Sequence, residues 1–314
     1  MPHEHGHSHD HAHAHSHSHA HSHAPTHFGT AFGIATALNL ALVIVQVVYG
    51  LAANSIALLA DAGHNLGDCL GLVLAWGAHV LARREPTVRF TYGYRSASIL
   101  SALINAMLLL LATGAIAWEA IRRLSGPGEV AGWTVIIVAL IGIAVNGISA
   151  MLLMRGNKDD LNVRGAFLHL AADAGVSAGV VIAGAVILLT GWNLIDPIAS
   201  LLVSVVILWG TWGLLRESFR LSMDAVPAGI DPEQVRAFLG ALPGVTSTHD
   251  LHIWAMSTTE TALTCHLVIP AGHPGDAFLS ETCHQLAHRF AIHHATFQIE
   301  IGDAVCQLES EHVV

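Results

Sequence analysis

The sequence predicts an α-helical membrane protein, six transmembrane helices followed by a small cytosolic α+β domain of αββαβ order. Three observations carry this. The 314 residues are 53% hydrophobic and only 11% charged, against about 25% charged in an ordinary soluble domain. Six apolar runs, at about 28–50, 55–82, 97–121, 131–154, 166–190 and 194–215, are each long enough to cross a bilayer, which takes roughly 20 residues. From about residue 221 the pattern turns to short amphipathic segments, with eleven acidic residues against Arg236 and Arg289.

Taken in order, residues 1–27 alternate His with Ser, Ala, Gly and acidic residues and hold twelve of the 24 histidines. Such a tail has no apolar side chains to form a core and is expected to be disordered, chelating divalent metals loosely at many sites. It lacks the basic and apolar regions of a secretory signal. Asn39, Asn105 and Asn146 fall in three of the apolar runs, where hydrogen bonding between helices is the expected use. Lys and Arg set the orientation. Arg83, Arg84, Arg89, Arg95, Arg155, Lys158, Arg164, Arg216 and Arg220 flank one side, and only Arg122 and Arg123 the other. Both termini are therefore expected in the cytosol.

In the last segment, 232–242 reads as a helix, with Asp231 as N-cap and Pro232 at the first position. Residues 248–256 and 262–269 read as strands, 276–290 as a helix and 295–301 as a strand. The domains are thus 1–27, 28–220, 221–302 and a C-terminal tail, 303–314. The net charge of −10 argues against a nucleic-acid partner, and the acidic C-terminal domain would concentrate divalent cations. Cys69, Cys265, Cys283 and Cys306 show neither a CxxC motif nor a disulfide framework, so reduced thiols are expected.

The chemistry sits inside two of the apolar runs. His64 and Asp68 are four residues apart, as are His169 and Asp173, so each pair lies on one face of its helix. Ionisable groups at membrane depth are costly and turn inward toward partners. A buried ion pair locking two helices explains one such pair; two matching pairs in otherwise uncharged spans favour a shared metal ion. Two imidazoles and two carboxylates suit tetrahedral Zn²⁺, and two carboxylates balance its charge. Protons compete with metal for the same atoms, a direct route to antiport. Asp61 lies three residues before His64, with gating or helix packing as its first reading and support of the metal site as the second. Cys69 points about 100° from Asp68 on an ideal helix and reads as packing.

These pairs, together with Phe90-Thr-Tyr-Gly-Tyr-Arg95, Asn162-Val-Arg-Gly-Ala-Phe-Leu-His169, Asp196-Pro197 and His249-Asp-Leu-His-Ile-Trp254, resemble the zinc-transporting branch of the cation diffusion facilitator family. The likeness covers residues 28 to about 302. It implies a homodimer in the lipid bilayer, six spans per protomer and a ferredoxin-like cytosolic domain. It also implies efflux of Zn²⁺, and often of Cd²⁺ or Co²⁺, in exchange for protons. His64, Asp68, His169 and Asp173 match the transport-site ligands. His249, His266, His293 and Glu300 match positions that bind regulatory zinc in the cytosolic domain; Asp250, His252 and His284 are alternatives nearby, and His294 competes with His293. Residues 83–90 lack the Asp/His cluster of some bacterial members, so no site is assigned there. The loop between spans four and five lacks the His-rich insert of animal vesicular members, which points to a bacterial plasma membrane.

Three other functions compete with this one. An intramembrane metallohydrolase needs an open zinc position and a general base, and no HExxH occurs, so no enzyme is expected. A membrane-anchored metal sensor or store explains the His-rich tail but not the intramembrane pairs. A passive channel differs from an antiporter in ignoring a pH gradient.

Overall fold

The computed structural model describes the backbone of residues 30–154 and 161–302, together with Cys306. The His-rich tail, the Arg155 and Lys158 positions and most of the C-terminal tail lie outside the described residues. Six helices come first: α1 (Thr30–Ala52), α2 (Ile56–Ala82), α3 (Ala97–Leu124), α4 (Gly132–Met154), α5 (Leu161–Thr190) and α6 (Ile195–Ser222). Among the described residues, five are long and apolar enough to cross a membrane; the apolar stretch of α1, Thr36–Ala52, is shorter. The apolar side chains face outward to an extent no water-exposed surface tolerates: Leu111 is 69% exposed, Trp209 83% and Leu189 85%. Such a surface belongs against lipid.

Helix α4 packs along α5, α3 along α6, and α2 touches α1, α3, α5 and α6. Small residues permit the closest approaches. A Cβ on Gly67 of α2 would lie 2.5 Å from Leu109 Cδ1 of α3, and one on Gly71 would lie 2.8 Å from Asn105 Nδ2. Asn146, expected to bond between helices, is buried with no partner for its side chain among the described residues.

The start of α2 is held by another helix. Its N-cap, Ser55, accepts from Leu58 N through Oγ at 3.1 Å and donates to Asp196 Oδ1 at 2.5 Å. Asp196 also accepts from Ile56 N at 2.7 Å. A carboxylate from α6 thus satisfies donors that the first turn of α2 cannot satisfy itself, and complements the positive end of that helix dipole. The starts of α2 and α6 therefore meet at one end of the bundle.

At the other end, α2 leads to α3 through a loop whose turn depends on Gly93, at φ +69° and donating to Phe90 O at 2.8 Å. Beyond the turn the loop meets the C-terminal domain. Arg95 Nη1 lies 2.6 Å from Glu260 Oε1, Ser96 Oγ donates to Met256 O at 3.3 Å, and Thr258 N donates to Ser98 Oγ at 3.1 Å. The Tyr92 ring stands edge-on to His294 at 5.5 Å.

The C-terminal domain runs α7 (Pro232–Gly240), β1 (Ser247–Ala255), β2 (Thr261–Val268), α8 (Asp276–Phe290) and β3 (Ile292–Glu300). Asp231 caps α7, accepting from Glu233 N at 3.0 Å, ahead of Pro232. The sheet has the order β1-β2-β3, with β1 antiparallel and β3 parallel to β2. Helix α8 makes the crossover that parallel neighbours require. The odd-numbered residues Leu263, Cys265 and Leu267 of β2 join Val235, Leu239 and Leu286 of the helices in one core. The even-numbered residues face the other way.

Candidate metal centres

One face of α2 carries His64 and Asp68, and one face of α5 carries His169 and Asp173. The structure brings all four together. His64 Nε2 lies 3.0 Å from Asp173 Oδ1 and 3.8 Å from Asp68 Oδ2. His169 Nε2 lies 3.3 Å from Asp68 Oδ2 and 3.7 Å from Asp173 Oδ2. Histidine and aspartate thus alternate around a closed ring, with each imidazole touching both carboxylates. Four donors about 2.05 Å from a tetrahedral Zn²⁺ stand about 3.3 Å from one another; these contacts run from 3.0 to 3.8 Å, with Asp173 meeting His64 through Oδ1 and His169 through Oδ2. His64, Asp68 and Asp173 place donor atoms within 4.8 Å of one another. His169 is the outlying member, its side chain 43% exposed against 3% for Asp173.

Two neighbours take no part in the ring. Cys69 is buried at 5% exposure, in keeping with packing. Asp61 is fully buried and bonds instead to Gln46 and Ser177.

The second cluster lies on the sheet face turned away from α8. His249 and His266 are register partners across β1 and β2. His266 Nδ1 is 3.3 Å from His249 Nε2 and 3.0 Å from Glu300 Oε1, and His249 Nε2 is 3.4 Å from the same carboxylate oxygen. Cys306 Sγ completes the group, 3.6 Å from His266 Nδ1; the donor atoms of these four residues lie within 4.8 Å of one another. Burial opposes ionisation of Glu300, but the Cys306 hydrogen bond and the charges of His249 and His266 outweigh it and hold the carboxyl below its usual range. Cys265 is turned into the core, where burial pushes its thiol up to about 12. Facing the core, it lies on the side of the sheet away from the cluster.

A β-bulge shapes this cluster. Residues three apart on a regular strand face opposite sides, yet His249 and His252 both lie on the outer face. The register shifts between them, and Asp250 adopts φ 52°, so one extra residue restores the shared side. Asp250 then bonds both neighbours, with Oδ2 3.4 Å from His266 Nε2 and Oδ1 2.8 Å from His252 Nε2.

His293 does not join the cluster. It lies seven residues before Glu300 on β3, about 23 Å away along a strand. Its neighbour His294 faces Tyr92 at the opposite end of the sheet. His284 is on α8, stacked on His288 at 6.5 Å, and that helix packs on the core face. Cys306 stands where the sequence had suggested His293, beyond the last strand and with no motif to mark it.

The family model for the cation efflux transmembrane domain matches residues 33–221, and that for the cation efflux protein cytoplasmic domain matches residues 227–301. The chain belongs to the cation diffusion facilitator family. Within it, the chain is 38% identical over 260 residues to the zinc transporter ZitB of Escherichia coli, covering 82% of this chain and 83% of that protein. It is 35% identical over 263 residues to a cadmium, cobalt and zinc/H(+)-K(+) antiporter of Bacillus subtilis, covering 82% and 84%. The metal cation efflux system protein CzcD of Cupriavidus metallidurans is 36% identical over 261 residues, covering 83% of each chain. Cation diffusion facilitators are transporters, and the paired helices α2 and α5 lie wholly within the first match.

Proposed function

We propose that the protein exports divalent metal, zinc first and Cd²⁺ or Co²⁺ with it, from the cytosol across a bacterial plasma membrane in exchange for protons. The observation that carries this is the ring of His64, Asp68, His169 and Asp173 between two apolar helices. The ring has the donor types for a tetrahedral cation, and no thiolate to slow its release. The zinc, cadmium and cobalt named for the relatives support the same cargo. Metal and protons compete for the four side chains, so proton entry from the far side weakens metal binding and drives discharge. The excess of Arg and Lys on the side of the α2–α3 loop supports placing that side and the C-terminal domain in the cytosol.

In the C-terminal domain, His249, His266, Glu300 and Cys306 would hold a regulatory zinc ion. Two imidazoles, a carboxylate and a thiol are a donor set that suits Zn²⁺. A bound ion there supplies cross-linking of three strands and the C-terminal tail, not chemistry. We assign the working unit as a homodimer, as the family resemblance implies.

The test is zinc flux into proteoliposomes under an imposed pH gradient, with the wild type compared with Asp173→Ala. Gradient-driven zinc uptake lost in the variant supports proton-coupled transport through the ring. Zinc bound without flux in either protein would turn the reading to a sensor or store, and flux that ignores the gradient to a channel.

A further inference from the structure

Among the described residues, α2 and α5 share a further polar contact, a turn beyond the metal ring on both. Asp61 Oδ2 accepts from Gln46 Nε2 of α1 at 2.6 Å and from Ser177 Oγ of α5 at 2.9 Å. Gln46 Oε1 in turn accepts from Asn65 Nδ2 at 3.1 Å. Helix α4 comes in close beside them: a Cβ on Gly142 would stand 3.1 Å from Ser177 Oγ and 3.5 Å from Gln46 Nε2. Four helices therefore meet around one carboxylate.

The position of this contact gives it a direction. Asp61 precedes His64 by three residues and Ser177 follows Asp173 by four. Because α2 runs toward the C-terminal domain and α5 away from it, both offsets lead to the same side, where α2 and α6 begin. Exposure falls along that path. The side chains of His169 and Asp68 are 43% and 24% exposed, those of His64 and Asp173 16% and 3%. Ser177 and Asp61 are at 0%. Asp68 and His169 are thus the part-exposed end of this path, and Asp61 with Ser177 its fully buried end.

We infer that Asp61, bonded to Ser177 and Gln46, is the latch that holds the bundle shut on the side away from the C-terminal domain. The inference rests on the transport reading above, in which the two sides must open in turn. Asp61 touches none of the ring and acts by positioning α2 against α5. Its bonding suits a contact made and broken each cycle. Both donors are neutral, and Oδ1 is buried without a partner among the described residues. Burying an unsatisfied carboxylate oxygen is unfavourable, so water entering from the far side compensates for the bonds that opening breaks.

Zinc transport kinetics of wild type, Ser177→Ala and Ser177→Thr in proteoliposomes test this, with zinc offered on the C-terminal-domain side. Loss of the hydroxyl populates the conformer open to the far side. Apparent affinity then falls by the fraction of protein still competent to bind, and KM rises by roughly threefold or more without a matching fall in kcat. Zinc stoichiometry in detergent stays at the wild-type value in Ser177→Ala, and Ser177→Thr recovers most of the lost affinity. An unchanged KM in Ser177→Ala, or Ala and Thr variants that both lose kcat alone, overturns the latch. A wild type that carries no zinc would overturn the transport reading instead. The latch is then decided by deuterium exchange across residues 56–62, faster in Ser177→Ala than in wild type or Ser177→Thr if the latch exists, and equal in all three if it does not.

Discussion

His64 Nε2 lies 3.0 Å from Asp173 Oδ1, the shorter of the two contacts that cross from α2 to α5 within the metal ring. Asp173 is also the most buried of the four, at 3% side-chain exposure, so solvent offers no substitute for its carboxylate. Asp173→Asn keeps the shape and removes the charge. It should weaken zinc binding at the ring by more than about tenfold, equivalent to about 1.4 kcal/mol, and abolish gradient-driven flux. Isothermal titration of the detergent-solubilised protein, alongside flux, checks both.

Protons and metal compete for two imidazoles and two carboxylates, so acidification has a defined sign. Zinc affinity at the ring should fall as pH is lowered from 7.5 to 6, by up to about tenfold per pH unit for each proton taken up on release. Titration in a His249→Ala/His266→Ala background isolates the ring from the second cluster. A pH-independent affinity there would contradict proton exchange at the ring.

The second cluster separates the histidines cleanly. His266→Ala removes the residue that touches His249, Glu300, Asp250 and Cys306, and should lower bound zinc by about one ion per chain if one Zn²⁺ is held there. His293→Ala should leave stoichiometry unchanged, since that residue is about 23 Å along the strand from Glu300. Metal analysis after dialysis against buffered zinc distinguishes the two variants.

Thiol chemistry gives a second view of the same donors. Zinc should protect Cys306 from alkylation by a maleimide, because the ion would occupy the sulfur beside His266. Cys265 should stay unmodified with or without zinc at pH 8, its thiol being buried and pushed up to about 12. Mass spectrometry of the labelled peptides reads both sites in one experiment.

Asp196→Ala should be costly although the residue is far from either cluster. It strands the Ser55 hydroxyl and the Ile56 amide at the start of α2, a loss on the order of 1–3 kcal/mol. Thermal unfolding in detergent should show a lower midpoint, and Asp196→Asn, which keeps an acceptor, a smaller shift.

The apolar runs and the HxxxD spacing were legible because both depend on local periodicity. Lipid demands long apolar helices, and a helix places residues four apart on one face whatever surrounds it. The order αββαβ was legible for the same reason. The role of Asp196 was not, although the Asp-Pro pair was visible, because a carboxylate capping another helix 140 residues away is purely tertiary. Gln46 and Ser177 gave no signal either, since polar residues in apolar helices declare their partners only on packing. The family resemblance places His293 in the second cluster, and the length of β3 argues against it: a nine-residue strand separates its ends too far. Cys306 lies past the last strand, where periodicity says nothing.

The tip of the β1–β2 hairpin is fastened to the start of α3 through Arg95, Ser96 and Ser98, while the chain itself joins the same domain to the end of α6. A body fixed at one point can tumble; fixed at two, it can only turn about the line between them. The cluster of His249, His266 and Glu300 lies at the opposite end of the sheet from that fastening, about 20 Å off at the rise of a strand. A displacement at the cluster therefore has a lever arm of that length about the fastening on α3, and the loop before α3 leads straight back to the helix that carries His64 and Asp68.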